Sequence, residues 1–116
     1  MKDFPEFMKN SKNRIKQSSQ FMKDIEGYVF DGVDGSQMAF WTVYADRSSK
    51  EHVHDYDEYM VCVQGEYTAI MDGKRIVLRP GDELLMPSGV PHGGECIKGT
   101  RTIHAFGGKR AEREQG

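Results

Sequence analysis

The feature that most constrains this chain is its punctuation: short apolar runs, each cut off by a Gly, Pro or Asp-Gly turn. Residues 28–30, 37–44, 59–63, 66–71, 74–78, 83–86 and 101–106 read as strands, rich in β-branched and aromatic side chains. Between them stand Asp31-Gly32-Val33-Asp34-Gly35, Asp72-Gly73 and Arg79-Pro80-Gly81-Asp82, which are turn sequences because Gly and Asx residues accept positive φ. In 37–44, Met38, Phe40, Thr42 and Tyr44 fall on one face and Ala39, Trp41 and Val43 on the other, so burial on both faces is expected. Tyr44, Trp41 and Tyr59 read as core aromatics. Many short strands at even spacing predict an all-β barrel or sandwich.

A second pattern carries chemistry. His52 and His54 are two residues apart, so in an extended chain both imidazoles project to one side and can chelate one cation. Glu58 opens the run at 59–63 and can bring a carboxylate to the same point. His92 follows Pro87-Ser88-Gly89-Val90-Pro91, too rich in Pro for a central strand, which predicts a shaped loop presenting that imidazole, with Gly93 and Gly94 letting the backbone bend away at once. Three neutral imidazoles and one carboxylate offer nitrogen and oxygen donors that suit Fe(II), Mn(II), Zn(II), Ni(II) or Cu(II) and poorly match the oxygen-only preference of Ca(II). Three of the four histidines fall in this pattern, and no cysteine pair has chelating spacing, which weighs against a closed structural metal.

His52, His54, Glu58 and Gly65, followed by Gly81, Pro87, Gly89 and His92, have the spacing of the two signature motifs of the cupins, and the chain resembles that family. Two positions depart from the motifs: Asp46 stands at the opening Gly and Cys96 at the closing Asn, neither of them a ligand position in the family. The resemblance implies a double-stranded β-helix (jelly-roll barrel) with a short N-terminal arm. It implies one divalent metal held by His52, His54, Glu58 and His92, a small-molecule substrate or ligand, and a homodimer. Oxygenase and isomerase chemistry both use such a site. The reading is a small metal-dependent enzyme acting on a small oxygen-rich molecule, with a non-catalytic metal-dependent carbohydrate or organic-acid sensing module as the alternative.

His104 is the remaining histidine. Regular alternation in 101–106 puts Thr102, His104 and Phe106 on one face, and His104 is the candidate general base or supporting group of the site. On the strand that Glu58 begins, Met60, Cys62 and Gln64 share its face and are expected to line the substrate pocket, with Arg101 a candidate clamp for a carboxylate.

A chain of 116 residues suits one domain: an arm over 1–24 with a short helix after Pro5, where Phe4, Phe7 and Met8 follow helical spacing; a barrel over 25–107; and a charged flexible tail over 108–116. Residues 1–24 carry six Lys or Arg against three Asp or Glu, whereas 25–107 carry seven against thirteen. A barrel of that sign is a poor polyphosphate binder, so nucleic acid is not an expected partner. No apolar run is long enough to cross a bilayer, and no leader pattern opens the chain, so no membrane partner and a cytoplasmic location are expected, with Cys62 and Cys96 reduced.

Overall fold

The computed structural model describes residues 1–115. Nine strands form two antiparallel sheets: β1 (Ile25–Asp31), β2 (Gln37–Val43), β3 (Arg47–Ser48), β4 (Glu58–Gln64), β5 (Tyr67–Met71), β6 (Lys74–Leu78), β7 (Glu83–Met86), β8 (His92–Cys96) and β9 (Arg101–Phe106). The five-stranded sheet runs β1-β2-β9-β4-β7 and the four-stranded sheet β3-β8-β5-β6. This crossing order between two packed sheets is a jelly roll. Turn chemistry sets its corners: Asp72 (φ 53°) and Gly73 (φ 73°) join β5 to β6 with both central residues at positive φ, the two-residue hairpin turn whose twist matches the strands.

The inner faces bury two clusters. Val29, Ala39, Trp41 and Phe106 of β1, β2 and β9 pack with Ile15 and Ala111; Met60, Cys62, Leu78 and Met86 of β4, β6 and β7 form the second cluster. The outer face of β2 is buried at Phe40 because Phe4 of the arm lies on it, ring centroids 4.6 Å apart, beside Tyr28. Met38 and Tyr44 on that face are half exposed, so the expected burial on both faces holds at Phe40 and not along the whole strand. Tyr44 and Tyr59 are surface residues whose hydroxyls donate to Glu26 and Glu83; of the three expected core aromatics, Trp41 is the buried one.

Three expectations need correction. The stretch from His92 to Cys96 is a strand rather than a bend, because its glycines allow close approach: an added Cβ at Gly94 would stand 2.0 Å from the Tyr67 hydroxyl, and at Gly93 3.3 Å from the Ser49 carbonyl. The short helix after Pro5 is a single 3-10 turn (Glu6–Met8), one of three in the arm, and Phe7 of the presumed apolar stripe points to solvent.

The segment after Gly108 is not a free tail. It returns across the first sheet, where Ala111 is buried and Gln37 binds it by accepting from the Arg110 and Ala111 amides (2.7 and 2.9 Å) and donating to the Ala111 carbonyl (3.2 Å). Arg113 donates to Val29 O, Asp31 and Asn13, while Ile15 bridges to Arg113. Two of the charges that suggested a solvated tail, Arg110 and Arg113, are spent on specific backbone and side-chain acceptors. No helix among the described residues is long and apolar enough to cross a membrane.

Candidate metal centre

One end of the barrel brings the two histidine segments together. His52 and His92 exchange backbone hydrogen bonds at 2.9 Å in both directions, and the Gly89 amide donates to His54 O at 2.9 Å. The ligand atoms of His52, His54 and His92 all lie within 4.8 Å of one another. Glu58, at the head of β4, sets Oε1 3.4 Å from His54 Nε2 and 3.3 Å from His92 Nε2.

Each ring is held by its other side. Lys50 O stands 2.9 Å from His52 Nδ1 and Val90 O 3.1 Å from His92 Nδ1, which assigns those nitrogens as N–H donors and leaves both Nε2 lone pairs facing inward. Tyr56 stacks on His54 at 4.8 Å and Phe21 on His52 at 4.1 Å. The Nε2 atoms of His54 and His92 are buried with no hydrogen-bond partner among the described residues. Buried polar atoms normally have one, so two converging orphans fit a site built for a cation.

Electrostatics agree. Burial holds the His52 imidazole down at about 4, so at neutral pH its lone pair is free. Burial by itself would raise the Glu58 carboxyl, but the hydrogen bond from His104 and the closeness of the His54 and His92 imidazoles outweigh it and keep the group well below the usual carboxylate range, hence ionised. Burial likewise lowers His92, yet contact with Glu58 and with Val90 O leaves it raised overall: the carboxylate favours positive charge at that spot.

His104 is where alternation put it, facing inward with Thr102 and Phe106. Glu58 Oε2 is 2.9 Å from its Nδ1 and Thr102 Oγ1 2.9 Å from its Nε2. Because the Glu58 carboxylate only accepts, Nδ1–H is the donor of the first bond. Trp41 meets the ring edge-on at 4.9 Å.

The expected pocket wall is elsewhere. Met60 and Cys62 are fully buried in the cluster with Leu78 and Met86, and Gln64 and Arg101 sit further along, where Arg101 donates to Gln64 Oε1 and Met1 O and lies over Phe4. Alternation assigned the face of β4 correctly, but each two-residue step advances about 6–7 Å, so only Glu58 reaches the metal end. The cavity that does adjoin the imidazoles has a volume of about 70 Å³ and opens to solvent. Phe21, Trp41, Tyr67 and Arg110 line it, and sequence reasoning assigned none of them to the site.

Arg110 is the most consequential of these. Its guanidinium lies over the rings of Phe21 (4.4 Å), Trp41 (5.5 Å) and Phe106 (5.8 Å), donates to Ser19 O, and has its pKa lowered chiefly by burial. No local signal marks it, because Gln37 and Ser19, which fix it, are distant in sequence. Tyr67 had a usable signal, since it begins a strand whose inward positions alternate from it.

The fold and the site together define a class: jelly-roll barrels with three imidazoles and a carboxylate converging at one end. Residues 39–105 match the family described as Cupin domain, and the chain belongs to it. Among solved structures, it is similar to an RmlC-like cupin from Shewanella frigidimarina (20% identity over 93% of this chain and 90% of that one, TM-score 0.74). It is similar to KdgF from Halomonas sp. (18%, 83% and 93%, TM-score 0.69) and to the polyketide cyclase RemF from Streptomyces resistomycificus (19%, 81% and 70%, TM-score 0.62). At these identities the likeness is one of fold. A search of curated protein sequences finds no significant match.

Proposed function

We propose that the protein is a small metal-dependent enzyme that binds one divalent transition metal through His52, His54 and His92 with Glu58 beside them, and acts on a small oxygen-rich organic acid. The observation that carries this reading is the pair of buried, unpartnered Nε2 atoms on His54 and His92 converging with His52. When bound, Fe, Mn, Zn, Ni or Cu supplies Lewis acidity toward a carbonyl, carboxylate or enediolate oxygen.

The chain's own residues do the rest. Arg110, aromatic-stacked at the cavity wall, supplies the positive charge for a substrate carboxylate. His104, held by the Glu58 carboxylate on its Nδ1 side, accepts or returns a proton, and Thr102 carries it on the Nε2 side. A built-in proton relay favours isomerisation over oxygenation. The polyketide cyclase RemF, of the same fold, is a relative with a named catalytic activity.

The test is solvent exchange. Metal-loaded protein is incubated in deuterated water with short hydroxy and oxo acids and followed by NMR, with dioxygen uptake recorded alongside. Deuterium incorporation is expected, slowed about a hundredfold in His104→Gln while metal content stays unchanged. Dioxygen consumption without exchange shifts the reading to oxygenation, and saturable binding without either leaves the sensing module.

The reading includes a homodimer. The outer face of the first sheet carries one apolar row across all five strands, Phe30-Met38-Ala105-Tyr59-Leu85, each directly paired with the next. Phe30, Met38, Tyr59 and Leu85 are all exposed, and a second copy of the sheet is the surface that buries such a row.

A further inference from the structure

The cavity contains a polar group that the proposed chemistry leaves unused. Tyr67 opens β5 with its ring held between the Met60–Leu78–Met86 cluster and the Met22–Val43–Cys96 cluster. Its hydroxyl lies against Gly94, where an added Cβ would stand 2.0 Å from it. Gly94 and His92 are two residues apart on β8 and share its inner face. The hydroxyl therefore stands one strand repeat, roughly 6–7 Å, along the barrel from the backbone that carries the His92 imidazole. The residue lines the cavity that adjoins the imidazoles.

Burial, with Glu58 nearby, raises the phenol well above its ordinary value, so it stays protonated and available as a donor. A donor fixed by packing on both sides of its ring and lining a cavity that opens to solvent is suited to a ligand oxygen. Arg110, on the wall of the same cavity, offers charge for a carboxylate.

Resting on the metal-site reading above, we propose that the Tyr67 hydroxyl donates a hydrogen bond to a hydroxyl or carbonyl oxygen of the bound substrate while Arg110 takes its carboxylate. The substrate class is then the short hydroxy or oxo acid, and Tyr67 is the residue that selects it over the corresponding deoxy acid. A site that hydrogen-bonds a substrate oxygen discriminates against the analogue without it, because the donor is left unpaired.

The test compares tartrate with succinate, acids of equal carbon count that differ in the two hydroxyls, by calorimetric titration of Zn(II)-loaded protein. Metal content and thermal midpoint are recorded for every variant. Wild-type protein is expected to prefer tartrate, and Tyr67→Phe to weaken tartrate about tenfold while leaving succinate within about twofold. Arg110→Gln is expected to weaken both. Equal loss of the two acids in Tyr67→Phe, no loss of tartrate, or wild-type protein that holds zinc but binds neither acid overturns the assignment. Failure of wild-type protein to hold zinc instead overturns the metal reading beneath it, so the two failures are separable.

Discussion

His52 and His92 exchange both backbone hydrogen bonds across a two-residue bridge, 2.9 Å each way, so the segments bearing the proposed ligands are tied through main chain and not through the imidazoles themselves. The scaffold of the site is thereby separated from its chemistry. Side chains can be exchanged there with the bridge left in place.

That separation predicts a dissociation of stability from metal response. His54→Ala is expected to leave metal-free stability within about 1 kcal/mol of wild type, since the imidazole it removes has a buried Nε2 without a partner. Wild-type protein is expected to gain about 2.7 kcal/mol at a free metal concentration a hundredfold above Kd, and the variant nothing. Urea titration with and without chelator reads both.

Gln37 is the clasp of the C-terminal segment, binding the amides of Arg110 and Ala111 and the carbonyl of Ala111. Gln37→Ala leaves two buried amides unmatched and is expected to cost about 2–4 kcal/mol by chemical denaturation. Acid binding should weaken alongside, because the same clasp sets the position of Arg110.

The reach of the sequence can be judged from these residues. Alternation placed His52 with His54, and Thr102 with His104 and Phe106, because a period of two is local. Turn residues marked seven of the nine strands for the same reason. The strand at His92–Cys96 was missed because Gly93 and Gly94 carry no strand propensity; they are there for what crosses them, Tyr67 and Ser49. Met60 and Cys62 were put on the correct face at the wrong depth, which depends on where β7 and β9 register against β4. Arg110 was invisible because its placement depends on partners far along the chain.

Glu26 gives a pH signature away from the metal site. Burial alone would raise its carboxyl, but hydrogen bonds from Tyr44 (2.7 Å) and Tyr28 (2.9 Å), with Arg14 at 3.0 Å, lower it below the usual 4.5. A depressed folded-state value means the stabilisation is present above pH 4.5 and is lost as pH falls through the folded value. Wild type is expected to exceed Glu26→Gln by about 1 kcal/mol near neutrality, with the gap closing below pH 4.5. Paired urea titrations across that range read the difference.

The apolar row across the first sheet predicts the assembly. Met38→Glu, at its centre, is expected to shift the protein from dimer to monomer in sedimentation velocity without changing its strand content by circular dichroism. A monomeric wild type would remove the dimer from the proposal.

The most direct measurement is elemental analysis of protein purified without chelator or added metal, repeated after reconstitution, for wild type and His54→Ala. Three converging imidazoles predict one equivalent of a transition metal per chain in the wild type and loss of that metal in the folded variant. Wild-type protein that stays metal-free after reconstitution, or a variant that retains full occupancy, would contradict the metal centre on which the proposed chemistry depends.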